Sequence, residues 1–396
     1  MVLTALIRLL SKLCLLSDFI VESLAAMLTY PQYAALLTSD SSQTRTKCWF
    51  RKQSNILILS IVFGVTGCVW AAEPPVLNVY AWSGYLPEAI LHEFTQETDI
   101  RVNYSTYDSN ETLYAKLKAN PKSGYDVVMP SSYFVDRMIR EGMLKALDKT
   151  RLKHFKHLDA AFLNKAYDPH NGYSVPYLWS ATGIVVNRSY HPNQPFNHWE
   201  TLWHTRFKGQ LLLLDDMRET FSIALLALGY SPNTQDSAHI KQAYLKLKQL
   251  MPNVRVMSTE AMMSLYIDED LTVGMGWNGD AYRVRQENAA VQFHYPLEGY
   301  ILSIDSLVIP IGARHVDNAY HLINFLMRPD IAARISLETG YASPNRSARQ
   351  YLSASLLLNP MLYPGAETLQ RGIIQQDVGA QSSLYEQYWE LLKIGG

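Results

Sequence analysis

The chain has 396 residues, 48% of them apolar and 18% charged, with Lys+Arg 35 against Asp+Glu 36 and a formal net charge of -1. That length and apolar share suit two to three domains' worth of buried core and exclude an intrinsically disordered chain. So small a net charge, with no long basic run, also excludes a dedicated nucleic-acid binder.

All 3 cysteines, Cys14, Cys48 and Cys68, fall at the start of the chain. A thiol nucleophile, a zinc ribbon and a disulfide scaffold are thereby excluded for the main body. Residues 1–72 read as an N-terminal extension plus a signal segment. A basic flank at Arg51 and Lys52, an apolar core over 56–65 and small residues before Pro74 follow the order of a secretory signal, and the apolar core is too short to span a bilayer. Two cleavage patterns compete. Val69-Trp70-Ala71 suits a general signal peptidase and a soluble product, whereas Val65-Thr66-Gly67-Cys68 resembles a lipoprotein box that would leave Cys68 lipid-anchored. A buried strand or helix over 56–65 is the plainer alternative. Residues 1–49 precede the place where a signal should begin, so either translation starts downstream or an extra apolar helix covers 3–37.

From Val76 onward, short apolar runs alternate with amphipathic ones. Strands are predicted at 77–81, 100–104 and 125–129, and helices at 87–98, 111–119 and 133–144, with Pro87 in the first helical turn. This β-α-β-α-β order predicts a parallel sheet with covered faces. Two β-rich pieces, 173–177 and 182–187, then break the pattern. Alternation restarts with strands at 210–214, 254–257 and 271–275 and helices at 219–228, 240–250 and 261–268. A third β-rich stretch at 301–310 precedes a helical region over 316–339, interrupted at Arg328-Pro329 because proline cannot continue a helix. The reading is α/β in two units that share a cleft, with the boundary near 179–183.

In open α/β sheets, ligands bind beyond the carboxyl ends of the strands. After 79–81 come Trp82, Ser83, Gly84 and Tyr85; after 127–129 come Ser131 and Tyr133; after 211–214 come Asp216 and Glu219; after 273–275 come Trp277 and Asp280. Asp305 is offered by the later β-rich stretch. Aromatic faces attract an organic ammonium by about 0.5 to 2 kcal/mol per good contact. Carboxylates add charge-assisted hydrogen bonds that offset burial of the ligand's charge. The chemistry suggested is capture, not turnover. Each residue also has a structural explanation: Asp216 and Glu219 fit a helix-capping pattern, Asp280 an N-cap for 281–286, and each aromatic a place in the core. Their recurrence at several strand ends favours the ligand.

Enzyme signatures fail. Residues 274–279 formally fit G-x-G-x-x-G, but Trp277 stands where a phosphate should approach. There is no G-x-S-x-G, Walker A or H-E-x-x-H, and the 11 histidines show no metal-ligand spacing. No catalytic residue, metal or cofactor is expected.

The runs 77–85 (LNVYAWSGY), 94–98 (FTQET), 104–112 (YSTYDSNET), 125–131 (YDVVMPS), 251–254 (MPNV), 277–279 (WNG), 305–307 (DSL), 323–330 (INFLMRPD) and 377–379 (DVG) together resemble the periplasmic spermidine/putrescine-binding proteins of bacterial ABC importers. The likeness runs from about 77 to 393. It implies a two-lobed, type II periplasmic-binding fold, each lobe a mixed sheet flanked by helices, with the ligand cleft between lobes formed by 76–181 plus 303–350 and by 184–300 plus 353–396. It implies a monomer that binds putrescine or spermidine in the periplasm and delivers it to the permease of an inner-membrane ABC transporter. By position, Trp82, Tyr85, Tyr133 and Trp277 match the family's aromatic box. Ser83, Ser131, Thr259, Tyr341 and Gln375 match its polar contacts, and Asp216, Glu219 and Asp305 its acids. Gly84 departs from a usual acid and Ser303 from a usual large aromatic, while Asp280 resembles an acid of putrescine-preferring members. A sensor on the same scaffold, or a binder of another organic amine, is the competing reading.

Overall fold

The structure, a computed structural model, describes residues 75–395. The predicted signal segment, the extension before it and Cys68 lie outside the described residues. The chain order is β1 (Val76–Trp82), α1 (Glu88–Thr98), β2 (Arg101–Tyr107), α2 (Asn110–Ala119), β3 (Val127–Val128), α3 (Ser132–Arg140), β4 (Ser174–Asn187), β5 (Leu211–Leu213), α4 (Met217–Ala227), α5 (Ser237–Leu250) and β6 (Val254–Met257). It continues with α6 (Met262–Ile267), β7 (Val273–Trp277), α7 (Asn278–Glu287), β8 (Val291–His294), β9 (Tyr300–Val308), α8 (Val316–Leu326), α9 (Pro329–Thr339), α10 (Ala354–Leu357), α11 (Ala366–Gln370), β10 (Gly372–Ile373) and α12 (Ser382–Ile394). Among the described residues no helix is long and apolar enough to cross a membrane.

The strand order is β2-β1-β3-β9-β4-β7-β5-β6, with β8 beside β4 and β10 beside β9. The first three strands are parallel, as the β-α-β-α-β pattern requires, and β9 joins them antiparallel. The two β-rich pieces read around residue 180 form one strand of 14 residues, every one of them buried. Its length, about 45 Å, lets β4 serve two neighbourhoods in turn. Residues 174–181 pair with β9, and residues 182–187 pair with β7 and β8. The predicted boundary is thus a change of partner inside a continuous strand, where no turn residue is needed.

The apolar side chains divide accordingly. One cluster gathers Leu77, Ile90, Val127, Val175, Leu307 and Ile323; another gathers Val185, Trp199, Leu213, Phe221, Val273 and Tyr385. Other differences from the sequence reading are local: Pro87 sits at the N-cap of α1 rather than inside it, and β3 shrinks to 2 residues. The region read over 316–339 is interrupted as expected, its two helices meeting at Met327-Arg328, with Pro329 opening the second.

Candidate functional site

The strands of both neighbourhoods end on one cavity of about 370 Å³. Trp82 comes from the end of β1, Ser131 from the turn after β3, Trp277 from the end of β7, and Ser180, Ser303 and Asp305 from the paired strands β4 and β9. All residues predicted for the site except Gln375 line this cavity: Trp82, Ser83, Tyr85, Ser131, Tyr133, Asp216, Glu219, Thr259, Trp277, Asp280, Asp305 and Tyr341. Gln375 is buried elsewhere. Its side-chain Nε2 donates to Ser222 Oγ at 3.2 Å and its backbone carbonyl accepts from Ser132 Oγ at 3.2 Å, so the residue ties α3 to α4, and it is not among the residues lining the cavity.

Hydrogen bonds to the backbone fix the aromatic rim. Tyr104 Oη donates to the Trp82 carbonyl, Tyr107 Oη to that of Met129 and Tyr177 Oη to that of Tyr85, each at 2.7 Å. Trp82 meets Tyr107 at 4.8 Å between ring centroids, and Tyr85 meets Tyr341 at 5.6 Å. Tyr341 lies so close to α7 that a Cβ on Gly279 would stand 2.3 Å from its ring, which makes glycine obligatory after Trp277-Asn278. The Trp82 indole Nε1 is buried with no acceptor.

The acids are held by neutral donors. Asp305 accepts from Ser131 Oγ at 2.6 Å and Tyr85 Oη at 2.7 Å, and Asn110 Nδ2 in turn donates to Ser131 Oγ at 3.1 Å. Glu219 accepts from Thr182 Oγ1 at 2.7 Å and Ser303 Oγ at 3.3 Å. Asp216 is the N-cap of α4 and accepts from the Glu219 amide at 2.9 Å, so the capping pattern is real and the same carboxylate also reaches the cavity wall. Asp280 is in the first turn of α7, which begins at Asn278 with Trp277 as its N-cap; it does not cap 281–286.

Burial governs the electrostatics. It pushes Asp305 and Asp280 up to about 6. Burial, with the Asp216 charge added, pushes Glu219 up to about 8, and burial also raises Asp216. Glu111, in the first turn of α2, is raised to about 7 by desolvation and by Asp216. Hydroxyl donors cannot neutralise a buried carboxylate; a cation can. Among the described residues no cluster of His, Cys, Asp and Glu is placed to hold a metal ion.

Sequence reasoning missed Tyr107, Asp108, Asn110, Ser180, Arg283 and Thr339, all on the wall. The first three were detectable: β2 runs to Tyr107, three residues past its predicted end, so the strand-end rule reaches them once the strand is read in full. Ser180 sits mid-strand, where only tertiary pairing marks it.

A family model described as bacterial extracellular solute-binding protein matches residues 89–356. The chain is 46% identical over 325 residues to the spermidine/putrescine-binding periplasmic protein of Escherichia coli (strain K12), covering 82% of this chain and 93% of that one. It is 42% identical over 324 residues to spermidine/putrescine-binding periplasmic protein 1 of Haemophilus influenzae, covering 82% and 90%. The solved structure of the spermidine/putrescine ABC transporter substrate-binding protein from Streptococcus pneumoniae superposes with TM-score 0.70 at 31% identity, over 81% of this chain and 99% of that one.

Proposed function

Since the chain belongs to the bacterial extracellular solute-binding proteins, beside the spermidine/putrescine-binding members, and has their two-lobed α/β periplasmic-binding fold, we propose that it is the polyamine-binding component of an ABC importer. One observation carries the reading: Asp305 and Glu219 are buried on the wall of an aromatic cavity with neutral donors in place of counter-ions, and Asp216 beside them has only the Arg218 charge to offset its burial. A linear di- or triammonium ligand supplies both missing elements, charge for the carboxylates and methylene segments for the rings. No covalent step is needed, and the protein acts by capture and release.

In this reading the lobes are 76–181 plus 303–350 and 184–300 plus 353–396, joined through β4 and β9, and the separate apolar clusters around Leu77 and around Val273 support it. Closure of the lobes over the ligand desolvates the ion pairs and presents a surface for the membrane permease. Trp82, Ser83, Tyr85, Ser131, Tyr133, Asp305 and Tyr341 serve from one lobe, and Asp216, Glu219, Thr259, Trp277 and Asp280 from the other. Export follows the signal-like segment at 50–75, with Cys68 as an optional lipid attachment, and the protein works as a monomer in the periplasm.

The test is calorimetric titration of the full-length chain with putrescine, spermidine and lysine. One-to-one binding of either polyamine, without binding of lysine, is expected. Absence of heat and of thermal stabilisation with both polyamines, from a folded sample, would overturn the reading and favour another organic amine, admitted by Gly84 and Ser303.

A further inference from the structure

The chain that follows β10 runs along the boundary between the two proposed lobes, and its outer end carries a charge pair that the cavity does not use. β10 lies beside β9, with Ile373 opposite Ile301, so this segment starts at the strands that join the lobes. Its bonds tie it to the second lobe. Asn233 Nδ2 donates to the Ile374 carbonyl at 3.0 Å, the Gln376 amide donates to Asn233 Oδ1 at 2.9 Å, and Arg218 Nη1 donates to the Gln376 carbonyl at 3.2 Å. Across the boundary it meets α3 of the first lobe. There Ser132 Oγ donates to the Gln375 carbonyl, and Arg140, the last residue of the helix, forms an ion pair with Asp377. The N-terminal end of α3 supplies Ser131 and Tyr133 to the cavity wall, whereas Arg140 lies about 12 Å further along the helix axis from Ser132. Neither Arg140 nor Asp377 lines the cavity. Their side chains differ in burial, Arg140 being 53% exposed and Asp377 only 7%. Arg140 Nε also meets Asp136 Oδ1 of its own helix at 3.3 Å, so the guanidinium keeps a partner in the first lobe even when Asp377 is withdrawn.

We infer that Arg140 and Asp377 form a closure latch, with Arg140 a positioning residue that holds the lobes shut over the ligand without touching it. The inference rests on the polyamine reading above and on its two lobes. Rotation about β4 and β9 displaces groups in proportion to their distance from those strands, so the Arg140–Asp377 end of the seam parts further than the end beside β10. Opening returns Asp377 to water and leaves Arg140 with Asp136. Closing desolvates Asp377, which then depends on the arginine for its charge. The pair therefore favours the closed form over the open one, and adds to the affinity of every ligand over which the lobes close, with no preference among them. Because it forms after the ligand has entered, it acts by slowing escape rather than by speeding capture.

The experiment measures affinity, dissociation rate and ligand-free melting temperature of the full-length chain with putrescine and spermidine, in wild type, Arg140→Gln, Asp377→Asn, the double variant and Arg140→Lys. Arg140 is exposed, so its variants fold. Arg140→Gln is expected to weaken binding of both polyamines by the same factor, roughly three- to tenfold at low salt, through a faster dissociation rate with the association rate within about twofold of wild type. Asp377→Asn should do the same, and the double variant should lose no more than either single one. Arg140→Lys keeps the charge and should stay within about twofold of wild type. The ligand-free melting temperature should barely move, because the pair belongs to the closed form. A lowered melting temperature in Arg140→Gln with unchanged affinities would make the pair a plain structural tie, and a loss confined to one polyamine would make Arg140 a ligand contact. Either result would overturn this inference and leave the polyamine reading standing. A wild-type protein that binds neither polyamine would overturn that reading, and this inference with it.

Discussion

Asp305 and Glu219 face the same cavity from elements of different kinds. Asp305 lies within a strand and is held by the Ser131 and Tyr85 hydroxyls, whereas Glu219 lies in the first turn of a helix whose N-cap is another acid, Asp216. A helix N-terminus favours a negative charge by about 0.3 to 1 kcal/mol, so Glu219 should be the easier of the two to ionise. The order is reversed: Asp305 is raised to about 6 and Glu219 to about 8. Desolvation by burial, with a like charge three residues away added to it, outweighs the helix field. At pH 7 Asp305 is therefore ionised, while Glu219 is mostly protonated. A diammonium ligand meets one ready charge and one that has to be freed.

The largest effect that sharpens this contrast is on affinity. Asp305→Asn is expected to weaken polyamine binding by about 1.5 to 3 kcal/mol, the range for losing a hydrogen bond to a charged group. Glu219→Gln should cost less at pH 7, because the variant loses an ion pair that wild type forms only after expelling a proton. Asp305→Asn removes an uncompensated buried charge, so its ligand-free form should melt at a higher temperature, whereas Glu219→Gln replaces a carboxyl that is mostly protonated at pH 7 and should melt close to wild type. Isothermal titration and thermal melts of the two variants check the order. Equal losses would break the distinction between the two acids, and wild-type affinity in Asp305→Asn would remove that residue from the site.

The next effect is in pH. Both carboxyls are raised above their unfolded values, so their contribution to ligand-free stability is fully present below about pH 4 and is lost as pH rises through about 6 for Asp305 and about 8 for Glu219. Binding runs the other way: an ammonium pairs with the ionised form, so affinity falls as pH drops through each value, by at most about tenfold per pH unit for each proton released. Titration at pH 7 in buffers of different ionisation enthalpy should register release of about one proton in wild type and Asp305→Asn and almost none in Glu219→Gln. Release that survives in Glu219→Gln would transfer the proton to another acid, with Glu111 the first to examine.

The same contrast explains how much could be read in advance. The parallel β2-β1-β3 arrangement and most cavity residues follow local rules, because strand ends in an α/β sheet converge and their aromatic and acidic residues are adjacent in sequence to apolar runs. Asp216 is legible as a cap from Asp-x-x-Glu alone. What escaped was set by tertiary pairing. The continuous β4 looked like two pieces because Trp179-Ser180-Ala181-Thr182-Gly183 carries no strong strand signal, and only its shift from β9 to β7 and β8 explains why it stays extended. Ser180 and Thr182 gain their roles from that shift. Gln375 was assigned by resemblance, and its burial against Ser222 depends on the approach of α3 and α4, which no short motif encodes.

The smallest effect separates the two roles that Asp216 combines. Asp216→Ala removes both the N-cap bond to the Glu219 amide and a cavity carboxylate, and should lower stability by about 1 kcal/mol while weakening binding. Asp216→Asn keeps a side-chain oxygen at the cap, so its stability should stay within a few tenths of a kcal/mol of wild type, yet it removes the like charge beside Glu219. Glu219 then ionises at lower pH, and proton release at pH 7 should fall. Denaturant unfolding measures the cap, and the buffer-dependent heats measure the charge. A stability loss in Asp216→Asn as large as in Asp216→Ala would mean that the carboxylate charge, set in the field of the helix N-terminus, contributes more at this position than the hydrogen bond does, and would reverse the ranking of the helix field below burial and like charge drawn from Asp305 and Glu219.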